Sequence, residues 1–149
     1  MRTVLAAVLI AALSTPASAR AVFLEYCDVI EAALAAPESW FAKQRDKPTR
    51  DSNTWWSKLS TYCTVSSKEN REHDLNCIWN GADVESAFMD ADEAVQACVK
   101  ELSSRYKFSE TEAAFSGAIW KAEINGGQFS IQVERVFDVM TVFEIRFSK

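Results

Sequence analysis

The chain has 149 residues, with 21 acidic and 16 basic side chains and a formal net charge of −5. This length favours one domain. The acidic balance argues against a nucleic-acid partner, because phosphate backbones are bound by basic surfaces.

Residues 1–19 have the organisation of a secretory signal peptide. Arg2 gives a basic start, Val4 to Leu13 form an unbroken apolar run, and small residues lead to a cleavage site after Ala19. The run of about ten residues is too short for a helix across a bilayer core of ~30 Å. We therefore expect an exported chain, periplasmic or secreted, with no membrane anchor after cleavage and a single disulfide-stapled domain over residues 20–149.

Two helical segments are predicted at the start of the mature chain. Ala21 to Ala36 carries two adjoining apolar stripes at helical spacing, which indicates a well-buried helix. Pro37 ends it and can begin a second, short helical segment over Glu38 to Gln44. Arg45 to Asn53 lacks apolar periodicity and is predicted to be a loop, followed by Trp55 and Trp56 on a short helix or strand.

A β-hairpin is predicted next. Leu59 to Val65 and Leu75 to Trp79 have strand character and flank a polar turn over Ser66 to Asp74. This turn places Cys63 opposite Cys77, a position that suits a disulfide in an antiparallel pair.

The four cysteines favour two disulfides in an oxidising compartment. Pairing of Cys63 with Cys77 would leave Cys27 and Cys98 to join the two main helices. The competing connectivity, Cys27–Cys63 with Cys77–Cys98, remains open.

No metal or cofactor site is expected. His73, the one histidine of the chain, lies between Cys63 and Cys77, but oxidation would remove the thiolates that a metal needs. We interpret His73 as a solvated turn residue. The chain also lacks a nucleophile elbow, a Cys-x-x-Cys pair and a glycine-rich phosphate loop, so no catalytic residue is assigned. A third and weaker functional hypothesis, besides two binding functions, is a hydrolase that uses an acid between Asp83 and Asp92.

The second half predicts a helix and then a sheet. Asp90 is a candidate N-cap for a helix that runs to Tyr106 and buries Cys98. The last third alternates apolar and polar residues in three segments, with a hairpin turn at Asn125-Gly126-Gly127 and a second reversal at Phe137 to Val139.

Together these elements predict an α+β fold. Its order is an N-terminal helix, a β-hairpin, a second helix and a three-stranded antiparallel meander, with the helices packed on one sheet face. The sequence shows no internal repeat. The final strand, Thr141 to Ser148, is a candidate open edge to which a partner strand could add, although Arg146 and Lys149 could protect it.

The candidate binding residues come from the most aromatic and basic stretch of the mature chain. Aromatic faces beside cations suit a protein hot spot or a stacked glycan, although the tryptophans could equally fill the core. The candidates are Trp40, Arg45, Arg50, Trp55, Trp56 and Lys58.

The function that these features favour is a small exported protein-binding module of inhibitor, immunity or envelope-accessory type. Its acidic charge would suit a basic protein partner. The alternative is a periplasmic domain that binds a glycan or small molecule through the tryptophan-rich segment.

Overall fold

The computed structural model describes residues 24–69 and 71–149. The predicted signal peptide lies outside these residues. Strands account for 44% of the described residues and helices for 31%. None of the described helices has both the length and the apolar character needed to cross a membrane.

Three α-helices and eight strands are present in the described residues. The helices are α1 (Tyr26–Ala35), α2 (Pro37–Lys43) and α3 (Val84–Leu102), with a 3₁₀ turn (Gly81–Asp83) before α3. The strands are β1 (Arg45–Pro48), β2 (Thr54–Ser57), β3 (Cys63–Lys68), β4 (Glu72–Asn80), β5 (Ser109–Glu112), β6 (Ser116–Ile124), β7 (Gly127–Val136) and β8 (Met140–Ser148).

All eight strands form one antiparallel sheet in the order β1-β2-β3-β4-β8-β7-β6-β5. The predicted fold, with a separate hairpin and a three-stranded meander, is therefore wrong. Hairpin β3–β4 and meander β6–β8 join through β4 and β8, and β1, β2 and β5 extend the sheet. Strand β8 pairs along its whole length with β4 and β7, so it is central and offers no open edge.

Three local predictions also need correction. Arg45 to Asn53 is not all loop, because its first four residues form the edge strand β1, whose exposed polar residues carry no apolar alternation. Helix α3 begins at Val84, so Asp90 is an exposed residue inside the helix, and the helix ends before Tyr106. His73 is not a solvated turn residue: it lies on β4 and is 5% exposed.

The hydrophobic core lies between the helices and one face of the sheet. Alternate residues of β3, β4, β7 and β8 point to this helix-covered face, as the two-residue period of a strand requires. Helix α3 packs on β4, β7 and β8, and α2 packs on β4. The intervening residues, including Thr64, Asn76 and Glu144, point to the other side, which we call the open face.

The two disulfides are Cys63–Cys77 and Cys27–Cys98, so the first of the two predicted connectivities is confirmed. Cys63 and Cys77 are register partners in the β3–β4 ladder, with Cα atoms 4.0 Å apart. Cys27 and Cys98 join α1 to α3, with Cα atoms 5.3 Å apart. Two disulfides indicate an oxidising environment outside the cytoplasm.

The fold contains a structural repeat that the sequence does not reveal. A helical segment and a four-stranded meander occur twice, as α1–α2 with β1–β4 and as α3 with β5–β8. The two halves meet at β4 and β8, which have the same length and almost the same alternation of buried residues. Asn76 and Glu144 hold equivalent positions and face each other across this pair, so a pseudo-twofold axis passes between them.

The turns β3–β4 and β7–β8 are equivalent by this repeat and share two backbone features in their described residues. Each has three residues, and the first of them, Glu69 or Phe137, has φ of 49°. In each, the third residue, Arg71 or Val139, donates its N–H to the carbonyl of the last strand residue, at 3.0 and 3.1 Å. Over these two hairpins Val65 and Val133 are the one identical pair of residues, so the repeat preserves burial and backbone geometry rather than sequence.

Candidate functional site

The structure does not bring the six candidate residues together in one site. Trp40 is 8% exposed and packs edge-on against Phe41, so it belongs to the core. Trp55 is half-buried on the helix-covered side, where the guanidinium carbon of Arg45 lies 4.0 Å from its ring centre. Trp56 points to the open face and is 48% exposed, because adjacent strand residues point in opposite directions.

Arg45 belongs to a buried polar chain that sequence reasoning missed. It donates to Ser67 Oγ at 2.6 Å, and that oxygen lies 2.9 Å from His73 Nδ1. Phe41 stacks on the His73 ring with centroids 5.7 Å apart. The predicted pairing of Cys63 with Cys77 already implied the contact between Ser67 and His73, because the same register places these two residues opposite each other.

A serine beside a histidine is an arrangement used in nucleophilic catalysis. Here Ser67 and His73 are only 6% and 5% exposed, which leaves a substrate no access to the hydroxyl. The contact instead satisfies buried polar groups at the edge of the core.

Arg50 and Trp56 lie together on the open face, at the margin of a depression of about 510 Å³. We call this the Trp56 depression. Lys58 is exposed and does not line it. The polar lining of the Trp56 depression includes Arg50, Asp51 and the hydroxyl-bearing residues Thr49, Thr54 and Thr64.

A second exposed apolar surface lies at the β5–β6 and β7–β8 turns, and it was not predicted as a site. Phe115, Phe137 and Val139 are 51%, 71% and 58% exposed, and the two rings contact each other with centroids 5.1 Å apart. We call these three residues the aromatic end. The signal was present in the sequence, because an apolar residue on each side of Asp138 is unusual in a hairpin turn.

Hydrogen bonds fix the backbone of the aromatic end. The N–H of Phe115 donates to Glu134 Oε1 at 2.8 Å, and the carbonyl of Phe137 accepts from Arg135 Nε at 3.0 Å. Arg135 also forms an ion pair with Asp138 in the same turn. The two phenylalanines are therefore presented from an ordered backbone.

The middle of the open face is polar and partly desolvated. A shallow hollow of about 290 Å³ crosses β4, β8, β7 and β6 there. Burial raises the pKa of Glu144 above its ordinary value, and Arg146, with its guanidinium 3.1 Å from the Glu144 carboxylate, opposes part of that rise. Facing Glu144 across the pseudo-twofold axis is Asn76, whose side-chain oxygen is buried and has no hydrogen-bond partner among the described residues.

Within residues 24–69 and 71–149, no group of three or more histidine, cysteine, aspartate or glutamate side chains is placed to hold a metal ion. Comparison of the chain with protein-family models, curated proteins and solved structures finds no significant match. The functional argument therefore rests on the two exposed surfaces, the Trp56 depression and the aromatic end.

Proposed function

We propose that the protein is an exported protein-binding module whose aromatic end anchors a protein partner. The observation that carries this proposal is the difference between its two equivalent turns. The two turns share the φ of their first residue and the hydrogen bond of their third, yet the β3–β4 turn exposes Glu69 and Arg71 where the β7–β8 turn exposes Phe137 and Val139.

The β3–β4 turn, with polar side chains, can be compared directly with the β7–β8 turn, which has apolar side chains at the equivalent positions. Because Glu69 and Arg71 occupy positions with the same φ and the same hydrogen bond, these backbone features do not require apolar side chains at positions 137 and 139. A bulky residue with positive φ is strained by roughly 1–2 kcal/mol. Phe137 combines that strain with 71% exposure. Contact with a partner would offset both costs, since burying a phenylalanine contributes about 1.5–3 kcal/mol.

The remaining features suit a protein rather than a small molecule as the occupant. Two aromatic rings on an ordered backbone are typical of a binding hot spot, and neither of the two depressions described above is lined by residues of the aromatic end. The acidic chain would also speed association with a partner of basic surface charge. Small size, two disulfides and export are compatible with an inhibitor, an immunity-type protein or an envelope accessory protein in the periplasm.

Exchanging the turn residues tests the proposal. The double variant Phe137→Glu, Val139→Arg gives the second turn the first and third residues of the β3–β4 turn. Its free energy of unfolding should therefore stay within about 1 kcal/mol of wild type. We expect its capture of the envelope partner to fall at least about thirtyfold, because hot-spot residues contribute about 2 kcal/mol or more. Quantitative mass spectrometry of proteins retained by each bait measures this loss.

A matched photo-crosslinking experiment locates the contact. A photoreactive phenylalanine replaces Phe137 in one sample and Glu69 in another, and both chains are exported by the cells that make them. We expect one protein to be crosslinked from position 137 and not from position 69. The proposal fails if position 137 crosslinks no protein, or if both positions crosslink the same proteins.

A further inference from the structure

We propose that the Trp56 depression is a second, independent site that binds an oligosaccharide. It lies on β2, four strands away from β7 in the sheet order. At a strand spacing of about 4.8 Å this separates the two sites by about 19 Å. A ligand in the depression therefore need not touch the aromatic end.

Trp56 supplies the flat apolar face that such a ligand requires. Its neighbour Trp55 is engaged by Arg45, whereas Trp56 turns a side chain that is 48% exposed toward the open face. The C–H groups on one side of a pyranose ring carry partial positive charge and meet the electron-rich face of an indole favourably.

The loop beside Trp56 is ordered by its own hydrogen bonds. Thr49 donates its N–H and its hydroxyl to the carbonyl of Thr54, at 3.0 and 3.2 Å. The Thr49 hydroxyl oxygen accepts from the N–H of Asp51 at 3.1 Å. The N–H of Ser67 on β3 donates to the carbonyl of Asn53 at 3.1 Å, which ties the loop to the sheet.

This arrangement leaves polar side chains at the margin for a ligand. Arg50 and Asp51 are exposed, and within the described part of the chain neither takes part in an ion pair. A planar guanidinium and a planar carboxylate can each form two parallel hydrogen bonds, the geometry that neighbouring sugar hydroxyls offer. Thr54 and Thr64 add hydroxyls that both donate and accept.

Other ligand classes fit the depression less well. An apolar small molecule needs an enclosed pocket, and this depression is open to solvent. Asp51 beside Arg50 disfavours a simple anion. The volume of about 510 Å³ lies in the range of small-ligand sites. A polar ligand with one flat apolar face remains, which describes a pyranoside.

Titration of the oxidised chain with two tetrasaccharides tests the site. The probes are a tetramer of N-acetylglucosamine and a tetramer of glucose, followed by calorimetry and by tryptophan fluorescence. We expect saturable binding that Trp56→Ala weakens at least about tenfold. Binding of the N-acetylated tetramer alone would indicate an amino-sugar glycan, and equal binding of both would indicate a general pyranoside site.

Two further variants make the result specific. Asp51→Asn should weaken binding without altering the tryptophans, and it keeps the test decisive if Trp56→Ala impairs folding. Phe137→Glu should bind both sugars as wild type does, so loss of partner capture and loss of sugar binding are separable. The proposal is overturned if neither tetramer binds at about 10 mM, if binding survives Trp56→Ala in a folded protein, or if a photo-crosslinker at position 56 captures a protein while sugar has no effect.

Discussion

At the scale of single residues, Gly117 shows how closely β6 and β7 approach each other. Its φ is 137°, which L side chains rarely adopt, and a Cβ at this position would overlap the carbonyl of Val133. Gly126, in the β6–β7 turn, also has a positive φ, 72°, but a Cβ there would meet no atom within 4 Å. A side chain at Gly126 would therefore cause backbone strain alone, whereas a side chain at Gly117 would also cause steric overlap.

We expect Gly117→Ala to lower the free energy of unfolding by roughly 2–4 kcal/mol, because the strand backbone must move. Gly126→Ala should cost only about 1 kcal/mol, from backbone strain alone. Urea denaturation of both variants measures the difference. Equal losses would mean that β6 and β7 are not as close at Gly117 as described.

Residue patterns predicted that two neighbouring tryptophans diverge, but they did not predict the contact between two distant phenylalanines. The adjacent Trp55 and Trp56 had to diverge if they were on a strand, and they do, but the side that the helices cover depends on the whole sheet. Phe115 and Phe137 are 22 positions apart, so their contact could not be read from local spacing.

At the scale of elements, the two disulfides differ in their accessibility. Cys63 and Cys77 are fully buried within the β3–β4 ladder. Cys27 is half-buried at the start of α1, although its partner Cys98 is almost fully buried. A reductant can therefore reach one bridge in the folded protein more easily than the other.

We expect a mild thiol reductant to open Cys27–Cys98 at least about ten times faster than Cys63–Cys77, because exchange requires access to a sulfur. Alkylation at timed intervals, with peptide mass spectrometry, gives both rates. In 8 M urea, about the limit of that denaturant, the difference should disappear. Faster opening of Cys63–Cys77 in the native protein would contradict the burial described above.

The long strands of the last third were predicted, whereas the short strands β1 and β5 were not. Strands β6, β7 and β8 have nine or ten residues and one buried face, which produces clear alternation. Strands β1 and β5 have four residues each and are exposed or half-buried throughout, so their sequences carry no alternating signal. Their strand conformation depends on pairing with β2 and β6.

At the scale of the whole molecule, the pairing of β4 with β8 determines the architecture. The two strands are far apart in sequence, and nothing in either one specifies the other as its neighbour. This explains why the sequence suggested two separate β units. The pseudo-twofold relation was equally hidden, because its halves share burial and turn geometry with almost no residue identity.

The repeat predicts that neither half is stable alone. Residues 24–82 and 83–149, separated at the 3₁₀ turn, would each expose one side of the central strand pair and lose part of the shared core. We expect each fragment to be largely unfolded by circular dichroism. An oxidised mixture should regain the β-sheet signal and form the Cys27–Cys98 bridge between fragments. A native-like spectrum from either fragment alone would contradict this.

The central position of β8 also has a consequence for the timing of biogenesis. In chain order β8 is the last of the eight described strands, so it leaves the ribosome after β1 to β7. Until β8 emerges, β4 and β7 each lack one neighbouring strand, and the centre of the sheet cannot form. A nascent chain with this topology therefore stays incompletely folded until β8 has been synthesised.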